Sequence, residues 1–72
     1  MLEWLIAMRK AKNLTQVQLA EAAGISPSYM TSIETGKRKV PVWTAKKIAA
    51  ALGFDWQRFY EDDNENEKGA NP

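Results

Sequence analysis

The chain contains no cysteine and no histidine. The first absence excludes disulfides and thiolate metal sites. The second removes the commonest general base and the commonest metal ligand. Catalysis would have to rest on carboxylates, Ser, Thr, Lys or Tyr, and no paired-carboxylate or nucleophile cluster stands out. An enzyme is therefore the least favoured class, and neither a cofactor nor a metal is expected. Long apolar runs are missing too, and nothing approaches the ~20 residues that a membrane-spanning helix needs. The opening MLEWLIAMRK carries an apolar patch, but Glu3 precedes it and Arg9 and Lys10 follow it. That order is wrong for a secretory signal. The expectation is a soluble, cytoplasmic protein with no membrane partner.

Proline is sparse before residue 60, with only Pro27 and Pro41, and β-branched alternation is absent. Both absences argue against a sheet and for helices. At 72 residues the chain is one small domain, with a modest core and marginal stability. Its net charge of +1 hides an asymmetry. Residues 1–60 hold nine basic and four acidic side chains, whereas residues 61–72, EDDNENEKGANP, hold five acids and one base. This divides the chain into a basic folded domain over 1–60 and an acidic, disordered tail over 61–72. Such a tail solubilises the protein or weakens its non-specific binding to polyanions.

Within 1–60 the apolar spacing predicts five short helices. Leu2, Leu5, Ile6 and Arg9 fall on one face over residues 2–12, with Trp4 and Met8 beside it and Asn13 as the stop. Thr15 is the next N-cap, with Gln18 in capping-box register. Val17, Leu19, Ala20 and Ala23 form the inward face, and Gly24 closes that helix in the left-handed conformation. Ser26 caps a third helix and Pro27 takes its first position, where a missing N–H costs nothing. Tyr29, Met30 and Ile33 follow at helical spacing, and Gly36 ends it. Ala45, Ile48, Ala49 and Leu52 mark a fourth helix closed by Gly53. A short fifth, FDWQRFY, is capped by Asp55, with Trp56 and Phe59 in the core and Tyr60 exposed. Two helices joined through the tight turn AGIS form a helix-turn-helix.

The stretch LTQVQLAEAAGISPSYMTSIETGKRKVP, followed by KKIAAALGF, resembles the lambda-repressor-like, or Cro/cI-type (XRE family), helix-turn-helix transcriptional regulators. The likeness runs from about Leu5 to Phe59. Its markers are Arg9, Leu14-Thr15-Gln16, Leu19-Ala20, Gly24, Ile33-Glu34, Gly36-Lys37, Ile48-Ala49 and Leu52-Gly53, and so many positions at fixed spacing make it specific. It implies an all-α, compact five-helix bundle whose third helix enters the major groove of double-stranded DNA, a groove of the right width for a helix.

The resemblance also assigns roles. Pro27, Ser28, Tyr29, Thr31 and Ser32 match the positions that reach bases. Here none is Arg, Asn or Gln, so direct readout is modest and phosphates and DNA shape carry more. Thr15 and Gln16 open the second helix at the phosphates, the Gln16 amide also steadying the third helix. Lys37, Arg38 and Lys39 lie where the family crosses the phosphate backbone, and Arg38 is a candidate for the minor groove as well. Arg9 and Glu34 match a partly buried structural ion pair, which a guanidinium on an apolar stripe requires. Trp43 and Tyr60 are candidates for a dimer interface. Trp43 falls off the core stripe and reads equally as an interface anchor or as packing against the loop before it. The plain alternative for Pro27, Ser28, Tyr29, Thr31 and Ser32 is a solvated helix face, and for Lys37, Arg38 and Lys39 a solvated loop. Lys10, Lys12, Lys46 and Lys47 are general positive field.

Two functions from different classes follow. One is a bacterial or phage-type repressor, a homodimer on a pseudo-palindromic operator. The other is a helix-turn-helix protein-interaction module, an antitoxin or bridging co-activator with a protein partner and secondary DNA binding. The small outward residues of the third helix and the acidic tail keep the second open.

Overall fold

In the computed structural model, the chain is described over residues 1–61. The expected acidic tail, beyond Glu61, lies outside the described residues. Four helices run in order: α1 (Glu3–Ala11), α2 (Gln16–Ala23), α3 (Pro27–Glu34) and α4 (Val42–Leu52). A fifth, α5, covers 58–61. There is no strand among the described residues.

The ends of the helices follow from their residues. Asn13 ends α1 with φ of 60°, a conformation that Asn tolerates better than most non-glycine residues. Its N–H bonds the Lys10 carbonyl, and the Leu14 N–H bonds the Arg9 carbonyl. Both halves of the capping box form at α2. The Gln18 N–H donates to Thr15 Oγ1 at 3.1 Å, and the Thr15 N–H donates to Gln18 Oε1 at 2.9 Å. Gly24, at φ 73°, turns the chain out of α2. Two residues later Ser26 Oγ accepts the Tyr29 N–H and starts α3. Just before α5 the Asp55 side chain accepts the Gln57 N–H at 3.0 Å.

Leu5, Leu19, Ala20, Ala23, Met30, Ile33, Ala45, Ile48 and Leu52 pack into one core, closed at one end by Phe59. Trp4, Phe54 and Phe59 make an aromatic cluster with ring centroids 5.2–5.6 Å apart, which fastens α1 to the last segment. The Leu2 N–H donates to the Glu34 carbonyl at 2.8 Å and ties the chain start to the end of α3.

Three expectations differ from what is found. Val17 is 49% exposed rather than inward. At 100° per residue it stands roughly 110° from the middle of the arc set by Leu19, Ala20 and Ala23. Trp56 is half-buried, packed edge-on against Tyr60 with Lys46 Nζ over its ring. Tyr60, expected to be exposed, is half-buried as well, because its hydroxyl donates to the Val40 carbonyl. The turn after α4 brings this segment back against the loop between α3 and α4. That return is a long-range contact with no periodic signature.

Candidate nucleic-acid interface

The second helix of the motif, α3, is short and divided by burial. Met30 and Ile33 face the core with no exposed surface. Pro27, Ser28 and Thr31 are exposed, and Ser32 is half-buried. Ser32 is thus less open than a purely outward position. Its carbonyl holds the chain just beyond α3, accepting N–H groups from Lys37 and Arg38 at 3.0 and 3.4 Å. Gly36, at φ 81°, makes that turn, and Lys37, Arg38 and Lys39 leave it exposed. The basic run therefore begins directly against the end of α3.

Tyr29 is half-buried and its ring leans toward α4. Its hydroxyl is 3.4 Å from Thr44 Oγ1, so the polar tip already has a partner inside the protein. The Arg38 guanidinium lies 5.9 Å from the Tyr29 ring centroid. Ser26, Ser28, Tyr29, Ser32, Arg38 and Trp43 surround an open depression of about 510 Å³. Trp43 is 58% exposed on its rim, with Lys47 Nζ 5.1 Å from its ring centroid.

Behind the exposed face sits a charged network. Arg9 Nε donates to Glu34 Oε2 at 2.7 Å, and Arg9 Nη2 donates to Glu34 Oε1 at 3.2 Å. The third nitrogen, Nη1, donates to the Leu14 carbonyl at 2.9 Å. Glu34 is 1% exposed and Arg9 8%, so this is a buried ion pair with planar, two-point geometry. Gln16 joins it from the first position of α2, its Nε2 donating to Glu34 Oε1 at 2.7 Å. Its Oε1 accepts the Thr31 hydroxyl at 3.0 Å. Gln16 thereby connects the buried pair to the exposed side of α3. One of its amide N–H groups has no partner among the described residues.

The structure thus brings together Gln16, Thr31, Arg9 and Glu34 in one hydrogen-bonded chain. It gathers Ser28, Tyr29, Ser32, Arg38 and Trp43 around one depression. Thr15 Oγ1 accepts the Gln18 N–H in its cap, which leaves its hydroxyl proton to donate. Tyr60 lies away from these groups, against the Val40 carbonyl. Two residues had no signal in the apolar pattern. Thr44 is fully buried, and a threonine at a core position is invisible to an apolar count. Lys47 stands both over Trp43 and 4.0 Å from where a Cβ on Gly24 would be, so it flanks the turn between α2 and α3. Sequence spacing left it among the general charges. No group of acidic side chains among the described residues is arranged to hold a metal. No helix among them is long and apolar enough to cross a membrane.

Comparison with known proteins adds to this geometry. A family described as helix-turn-helix matches residues 5–59. An uncharacterized HTH-type transcriptional regulator, YqaF of Bacillus subtilis (strain 168), is 48% identical over 62 residues, covering 86% of this chain and 82% of the relative. The immunity repressor protein of Bacillus phage phi105 is 47% identical over 48 residues, covering 67% of this chain and 33% of that repressor. A cyanate hydratase of Burkholderia lata is 34% identical over 53 residues, 74% of this chain but only 34% of the enzyme. The greater part of the hydratase thus lies outside the match. No solved structure matches the chain significantly.

Proposed function

Since the chain belongs to the helix-turn-helix family of transcriptional regulators, we propose that it is a repressor that binds a pseudo-palindromic operator as a homodimer, with α3 in the major groove. The single observation that carries this reading is the division of α3. Its inner side is locked in the core by Met30 and Ile33, while Pro27, Ser28 and Thr31 are exposed. Lys37, Arg38 and Lys39 follow at once, where the backbone of a duplex would run beside a helix seated in the groove. Gln16 supports it from α2, with an N–H available to a phosphate at a helix N-terminus. The two half-sites would lie about one helical turn apart, ~34 Å. Trp43, large and exposed, is the anchor for the second copy. Repression then follows from occupancy of a promoter in the cytoplasm, with no chemistry.

Selection of genomic fragments by the purified protein, followed by affinity measured between ~50 and ~200 mM salt, tests this. A phosphate-contacting dimer loses affinity by orders of magnitude over that range. Absence of a selected fragment, or a flat salt dependence, refutes the reading and favours the protein-interaction module.

A further inference from the structure

The hydroxyl of Thr31 has a fixed polarity, and the buried ion pair behind it sets that polarity. A hydroxyl ordinarily rotates to donate or accept as its neighbour requires. Here both groups beside Thr31 Oγ1 within the protein are acceptors: Gln16 Oε1 at 3.0 Å and the Pro27 carbonyl at 3.1 Å. The orientation of the Gln16 amide follows from its other partner. Glu34, as the carboxylate of an ion pair, only accepts, so the amide nitrogen must face it and the amide oxygen must face Thr31. Turning the amide over would set two acceptor oxygens 2.7 Å apart inside the protein. The Thr31 proton is therefore held inward whichever of its two acceptors takes it. Only lone pairs remain on the exposed side. Ser28 and Ser32 differ, since neither side-chain hydroxyl has a partner among the described residues, and both remain free to donate or accept.

The geometry points to Thr31 as an acceptor-only reading group on α3, a rule of base selection that rests on the proposed DNA-binding function. On the strand it contacts it would take an adenine or a cytosine. Those bases present an exocyclic amino donor in the major groove, N6 of adenine or N4 of cytosine. It would reject guanine and thymine, whose edges there offer O6, N7 or O4, all acceptors. Gln16 is a positioning residue in this scheme, and Arg9 and Glu34 act through it.

The test uses the full chain. Wild type, Thr31→Val and Thr31→Ser each select from a duplex library with a randomised core, and thermal melting confirms that all three fold. The position whose preference differs between wild type and Thr31→Val is the one Thr31 reads. The expected result is adenine or cytosine there for wild type and Thr31→Ser, and no preference for Thr31→Val. Replacing that base by an analogue lacking the exocyclic amino group should weaken wild-type binding ~5-fold, the size of one net hydrogen bond, and leave Thr31→Val unchanged. A guanine or thymine at that position, no position that responds to Thr31→Val, or an analogue bound as tightly as the natural base overturns the polarity rule while DNA binding stands. If wild type selects no sequence at all, the repressor reading itself fails and takes this rule with it.

Discussion

Replacing Arg9 by Met removes the cation from the buried pair while keeping an unbranched apolar stem. The substitution deletes both charge-assisted bonds to Glu34, at 2.7 and 3.2 Å, and the bond to the Leu14 carbonyl at 2.9 Å. Glu34, 1% exposed, would retain only the Gln16 amide as a side-chain donor. Leaving one member of a buried pair uncompensated costs about 3–5 kcal/mol. Arg9 sits at the edge of the core with 8% of its surface open, which places the cost at the lower end of that range. A domain of this size has about 4–11 kcal/mol of stability in all, so a large share would be lost. About 3 kcal/mol corresponds to a fall in Tm of roughly 12–24 °C. Circular dichroism melts would measure it. The paired substitution Arg9→Met with Glu34→Leu should recover more than half of the loss, because replacing a whole buried pair by apolar groups is often neutral. A fall of less than about 4 °C for Arg9→Met alone would refute the reasoning. So would losses that simply add in the double variant.

The other consequences concern single groups. Gly24→Ala introduces a Cβ into a left-handed turn where, chain neighbours aside, no atom of the described residues comes closer than 4.0 Å, so the cost is backbone strain alone, about 1–2 kcal/mol by urea unfolding. A larger cost would mean that the turn is more crowded than the structure shows. Thr15→Ala removes the side-chain half of the capping box at α2 and should cost about 1 kcal/mol in the same assay, with no effect expected if the cap were incidental. Lys37→Ala should lower affinity for all DNA sequences alike and reduce the slope of log K against log salt by ~0.9; an unchanged slope would remove Lys37 from the phosphate contacts. Trp43→Ala should leave Tm within about 4 °C of wild type, since the ring is mostly exposed, yet shift sedimentation equilibrium toward monomer. Unchanged association would place the dimer surface elsewhere.

Much of the fold was legible because its signals are local. Thr15 with Gln18, Ser26 with Pro27, and the glycines at 24, 36 and 53 each act within a few residues of themselves, and each sits where its chemistry places it. The core stripe of α4 follows from a 3.6-residue period, and Ala45, Ile48, Ala49 and Leu52 are all buried. Val17 shows where a period is too coarse, since a residue at the margin of an apolar arc is assigned by whatever neighbour covers it. No neighbour among the described residues covers Val17 fully, and it stays 49% exposed. Something does cover Tyr60, because a turn after α4 brings it to the Val40 carbonyl.

Sequence by itself determined that this chain would be helical, that α2 and α3 would meet through a glycine turn, and that three cations would follow α3. It did so because propensity, capping and periodicity are properties of neighbouring residues. It also marked Arg9, a guanidinium on an apolar stripe, as a residue that needs a partner, and the family resemblance named Glu34 for that place. Only the tertiary structure decided that Gln16 stands between that pair and Thr31, and that Lys47 flanks the turn. It alone decided that the hydroxyl of Thr31 faces outward with lone pairs and not a proton. The place of Lys47 depends on packing between distant segments, and the others on hydrogen bonds between residues 15 to 25 positions apart, as from Gln16 to Thr31 and from Arg9 to Glu34. Their direction is set by which partner is obliged to accept, and the order of residues along the chain does not encode that.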